Sequence, residues 1–134
     1  MSRDMILIHG SSEVGDQLVE MRRHFEQRGW TVYTPTLRHH AESMPEQAEL
    51  VAGVSLSDYV ADLTELTRTL DMPLIGGFSF GGLVAQLVAL VPRTGGCFAS
   101  RRHRLRVCVL RWRRCWSSVV TSCGPSRGAN LCAQ

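Results

Sequence analysis

The chain has 134 residues, 15 basic side chains that are all arginine, and a formal net charge of +3 at pH 7. That length holds one small hydrophobic core. No apolar run is long enough to cross a bilayer, Leu83–Val91 included, and no signal peptide opens the chain, so a cytoplasmic location is expected.

Met5-Ile6-Leu7-Ile8 is a continuous apolar run and predicts a buried strand. It ends in His9-Gly10-Ser11-Ser12. A His-Gly pair at the C-terminal end of a strand lets the loop turn sharply and present a backbone N–H. Over residues 12–28, Val14, Leu18, Met21 and Phe25 recur at spacings of four, three and four, which is one face of a helix. Gly29 stops that helix as a C-cap would. Trp30-Thr31-Val32-Tyr33-Thr34 predicts a second strand, stopped by Pro35. Residues 35–54 are polar and irregular and read as a surface loop over the strand ends. His39 and His40 fall there, either as solvated loop histidines or as a base near a site. Ser55 caps the next helix, with Asp58 in its first turn. Leu56, Tyr59, Leu63, Leu66 and Leu70 then repeat at three and four. Met72-Pro73-Leu74-Ile75-Gly76 predicts a third strand, buried and parallel. The order strand, helix, strand, helix, strand, helix implies an α/β fold, a parallel sheet of three strands with three flanking helices.

Gly77-Phe78-Ser79-Phe80-Gly81 follows directly. Gly-x-Ser-x-Gly between a strand and a helix is the pattern of a nucleophile elbow. The flanking Gly77 and Gly81 let the backbone take a strained turn that holds the serine hydroxyl outward. Residues 82–91 are apolar on nearly every face, as in a helix buried inside a domain. Its N-terminal N–H groups favour a developing negative charge at Ser79. Ser79 is therefore the candidate nucleophile. The Phe80 N–H and the Ser11 N–H are the candidate oxyanion donors, supported by His9 and Gly10. A glycine-rich turn without chemistry is the plain alternative. Gly76, Gly77, Gly81 and Gly82 do not spell a dinucleotide fingerprint, and no cofactor or metal is expected.

Composition changes after about residue 92. The first 92 residues hold six arginines against all twelve acidic residues, whereas residues 93–134 hold nine arginines and no acid. All five cysteines (Cys97, Cys108, Cys115, Cys123, Cys132) lie in this second part, with Trp112 and Trp116. Three readings compete: a basic arm for nucleic acid or acidic membranes, a metal or disulfide module, and an out-of-frame translation of GC-rich DNA. Cysteine separations of 11, 7, 8 and 9 contain no Cys-x-x-Cys. The chain thus divides into a core over 1–92 and an Arg/Cys-rich tail over 93–134, expected to be unstructured or poorly specified. The sheet edge beyond the third strand is expected to lie open unless Leu105–Leu110 pairs with it, which invites self-association.

Residues 4–91 resemble the N-terminal part of an α/β-hydrolase. Ile6-Leu7-Ile8-His9-Gly10, Val32-Tyr33-Thr34-Pro35-Thr36-Leu37-Arg38 and Leu74-Ile75-Gly76-Gly77-Phe78-Ser79-Phe80-Gly81-Gly82-Leu83 carry the likeness in the family's order. The family often has histidine where this chain has Phe78. The resemblance implies a serine hydrolase acting on a small ester, thioester or amide. It also implies an acid and then a histidine after the serine. No Asp or Glu follows Ser79, and the only later histidine is His103, so the chain is expected to be inactive or impaired. A non-catalytic binding protein that uses its arginine-rich tail is the alternative. A rewired base at His39 or His40 is a third reading. No specific nucleic-acid or membrane partner is expected.

Overall fold

The computed structural model describes residues 3–90, 94–101 and 104–106. Five strands, β1 (Asp4–Ile8), β2 (Thr31–Tyr33), β3 (Leu74–Phe78), β4 (Gly96–Arg101) and β5 (Arg104–Arg106), form one sheet in the order β2-β1-β3-β4-β5. The first four run parallel, and β5 turns back antiparallel along β4. The helices are α1 (Val19–Glu26), led in by a 3-10 turn over Gly15–Leu18, then α2 (Met44–Val51), α3 (Leu56–Arg68) and α4 (Phe80–Val88).

β1 is buried on both faces, which is why its sequence is a run rather than an alternation. Ile6 and Ile8 point to one core with Ile75 and Cys97, under Tyr59 and Leu63 of α3 and Val84, Ala85 and Val88 of α4. Met5 and Leu7 point to the other with Val32 and Phe98, under Leu18, Met21 and Phe25. The result is three layers, with α1 on one side and α3 and α4 on the other. Burying a side chain such as Ile6 or Leu7 stabilises the fold by roughly 1.5–3 kcal/mol relative to exposure.

The helix ends follow their expected chemistry. Gly29 has φ 79° and closes the α1 segment, with the Trp30 N–H donating to the Phe25 carbonyl at 3.2 Å. At α3 the Ser55 hydroxyl accepts the Asp58 N–H at 3.3 Å, and the Asp58 carboxylate accepts the Ser55 N–H at 2.8 Å. Both orphan donors are satisfied reciprocally.

Three expectations need correction. Residues 35–54 are not wholly irregular, because Met44–Val51 is a helix with Ser43 at its N-cap and proline in its first turn. The third strand runs through Gly76 to Phe78, so the elbow glycine Gly77 is still a strand residue. The edge of β3 is not open: β4 pairs with it in parallel from Leu74↔Gly96 to Phe78↔Ser100. Leu105 lies in β5 opposite Ser100 of β4 rather than against β3. Residues 107–134, with Cys108, Cys115, Cys123, Cys132, Trp112 and Trp116, lie outside the described residues, as does His103.

Candidate active site

Strand order places the site. β1 has β2 on one side and β3 on the other, so the chain reverses its winding between β1 and β3. In such sheets ligands bind beyond the carboxyl ends of the strands at that reversal. Ile8 of β1 is in register with Gly77 of β3. Two residues further along each strand are Gly10 and Ser79.

Ser79 lies between β3 and α4 with φ 51° and ψ −118°. A non-glycine residue in that region costs about 1–3 kcal/mol and persists only where its surroundings hold it. Two glycines hold it here. A Cβ on Gly77 would run into the Gly81 carbonyl. A Cβ on Gly81 would run into the carbonyl of His9. Each glycine thus permits a backbone approach that closes the turn and pins α4 to the end of β1. The Ser79 side chain is exposed, while Gly77 and Gly81 are buried.

The β1 loop faces this turn. A Cβ built on Gly10 would stand 3.6 Å from Ser79 Cβ. His9 is fully buried. Its Nδ1 lies 2.7 Å from the Gly10 carbonyl, and its Nε2 lies 2.8 Å from the Leu37 N. A carbonyl only accepts and an amide N–H only donates. His9 is therefore neutral, with its proton on Nδ1, and it ties the β1 loop to the segment after β2. Burial lowers its pKa below the ordinary histidine value, the Gly10 hydrogen bond opposes this, and nearby His40 adds to the lowering. His9 is a structural link and has no free nitrogen with which to take a proton.

The Gly10 carbonyl also accepts the Glu13 N–H at 3.3 Å. The peptides of the described residues are trans, so a fixed Gly10 carbonyl turns the Ser11 N–H the opposite way. The Gly10 N–H itself donates to Glu13 Oε2 at 3.0 Å. Among the described residues, the Ser11 and Phe80 N–H groups have no acceptor. Glu13 escaped the sequence reading. Its signal was the Gly10-x-x-Glu13 spacing, the same separation as the Ser55–Asp58 box.

The loop histidines are placed differently. His40 is buried, and its Nδ1–H donates to the Arg38 carbonyl at 2.9 Å. Its ring packs 5.3 Å from His9 and 5.8 Å from Tyr59, and Tyr59 packs 5.4 Å from Phe80. His40 thus connects to the elbow through a row of rings. His39 is half-buried with φ 62°. The Tyr59 hydroxyl is buried without a partner among the described residues, and burial pushes its pKa up.

A sequence model of the alpha/beta hydrolase family matches residues 5–127. No curated protein matches significantly. Among solved structures, an extracellular alpha/beta-hydrolase from a Paenibacillus species is 26% identical with TM-score 0.57, over 72% of this chain and 41% of that one. One of the metagenome-derived lipolytic enzymes LipS and LipT is 27% identical with TM-score 0.59, over 73% of this chain and 41% of that one. A pyrethroid hydrolase from Sphingobium faniae JZ-2 shares the fold at 22% identity and TM-score 0.62, over 74% of this chain and 39% of that one. The chain spans about two-fifths of the length of these structures. With the parallel sheet, the strand reversal and the strained serine turn in place, a family match over residues 5–127 makes this chain a member of the alpha/beta hydrolase family.

Proposed function

We propose that the chain carries the nucleophile half of a serine hydrolase, with Ser79 attacking the carbonyl of a small ester, thioester or amide. The observation that carries this reading is the Ser79 turn: an exposed hydroxyl at φ 51°, opposite Gly10, where two glycines close the backbone. The Ser11 and Phe80 N–H groups are the proposed oxyanion donors, each worth about 3 kcal/mol to the transition state when aimed at the developing charge. His9 and Gly10 position the first of them. The helix dipole of α4 adds to the same end.

A serine hydroxyl needs a base to take its proton. No Asp or Glu follows Ser79 in this sequence, and His103 is the only later histidine. His9 has both nitrogens engaged, so it is no substitute. The chain as it stands is therefore proposed to be impaired or inactive in turnover while retaining the nucleophile's setting. A fluorophosphonate probe followed by intact mass and peptide mapping tests this. Slow labelling at Ser79, lost in Ser79→Ala, is the expected result, with ester hydrolysis near the buffer background. Labelling elsewhere, or none, removes the nucleophile assignment. Turnover that depends on Ser79 removes the inactivity.

A further inference from the structure

The fold brings a carboxylate to Ser79 that the hydrolase reading leaves without a task. Glu13 Oε2 accepts the Gly10 N–H at 3.0 Å. The space above the Gly10 Cα, where a side chain would begin, is bounded by Glu13 Oε2 at 3.2 Å and by Ser79 Cβ at 3.6 Å. Glu13 and Ser79 are both exposed. Among the described residues no arginine or other cation forms an ion pair with Glu13. One of its oxygens is tied down by the loop, which fixes the carboxylate in place and leaves the other for a ligand.

This arrangement has a consequence for acyl transfer. Attack by Ser79 creates negative charge beside the same loop. An ionised carboxylate there raises the energy of that charge. A substrate that brings its own cation next to the carbonyl offsets the repulsion and pairs with Glu13 at the same time. We propose that Glu13 is a specificity-determining residue of the Ser79 site and selects esters with an ammonium group near the carbonyl over neutral ones. The inference rests on Ser79 marking where the substrate carbonyl lies, but binding of the cation does not need the hydroxyl.

The test therefore uses the Ser79→Ala chain over its full 134 residues. Backbone amide spectra are titrated with acetylcholine and, separately, with its neutral isostere 3,3-dimethylbutyl acetate. The expected result is acetylcholine binding roughly threefold to tenfold tighter, with the Gly10, Ser11 and Glu13 amides shifting. Adding Glu13→Gln, which keeps an acceptor for the Gly10 N–H, lowers acetylcholine affinity to that of the neutral ester and so abolishes the preference. Equal affinities, no binding of acetylcholine, or a preference that survives Glu13→Gln overturns the proposal. Failure of the fluorophosphonate to label Ser79 in the unmodified chain, with the cation preference intact, sinks the nucleophile reading alone. Labelling of Ser79 with no cation preference sinks the Glu13 proposal alone.

Discussion

Gly81 shows how much one side chain decides at this site. A methyl group there would meet the backbone carbonyls of both Ile8 and His9, and backbone cannot rotate out of the way. Gly81→Ala must lift α4 off β1, and a loss of about 3 kcal/mol or more is expected in urea denaturation. His39 makes the opposite case. It sits half-buried in a turn at φ 62°, where a side chain costs about 1–2 kcal/mol. His39→Gly is expected to raise stability by up to about 1 kcal/mol, since part of the relief is offset by the freedom glycine gains in the unfolded chain. A lowered melting temperature would show that the His39 ring contributes more than its backbone costs. Ser79 and its glycines were readable in the sequence because a strained turn restricts residue type so severely. Glu13 was not, because a carboxylate accepting an N–H three residues back looks like any other surface glutamate until the loop has closed.

Among the elements, the segment joining β1 to the residues after β2 depends on His9 remaining neutral. Its Nε2 accepts the Leu37 N–H, and protonation would set two donors against each other. Because burial lowers its pKa in the folded state, the unfolded chain takes up the proton first as pH falls. The stabilisation is complete above the ordinary histidine value, about pH 6.5, and is lost as pH drops toward the lower folded value. His9→Gln supplies an N–H and a carbonyl without titrating. From about pH 8 to about pH 5, on either side of the histidine range, melting temperature should fall for the unmodified chain and fall less for the variant. Equal slopes would remove His9 as the cause. The helices whose apolar residues recur at three and four, α1 and α3, were plain from sequence. α2 was not, because Met44 and Leu50 are exposed and no buried residue marks a face. Its signal was only a serine at the N-cap position, Ser43, ahead of Pro45.

For the whole molecule the decisive addition is β4, which lies past the point where acidic residues cease. Gly96-Cys97-Phe98-Ala99-Ser100-Arg101 gives little sign of a strand in a stretch so rich in arginine and cysteine. Its place follows from packing instead. Cys97 enters the core beneath α3 and α4, and Phe98 enters the core beneath α1, so consecutive residues complete opposite layers. Phe98 lies directly over Gly76, where any Cβ would strike its ring. The absence of a side chain in β3 is matched by a large one in β4. Phe98→Ala would leave a void over a residue that cannot fill it, with an expected loss of about 3–5 kcal/mol. For a chain of this size that is a large share of the total. Ending the chain at residue 95 removes both core residues and leaves unpaired the edge of β3 that faces away from β1, beside the apolar α4. The expected outcome is an aggregating species in sedimentation velocity, against a folded full-length chain with a cooperative melt. A monomeric, cooperatively folding 1–95 fragment would show instead that β1, β2 and β3 with their helices form a sufficient core, and that β4 only decorates the sheet.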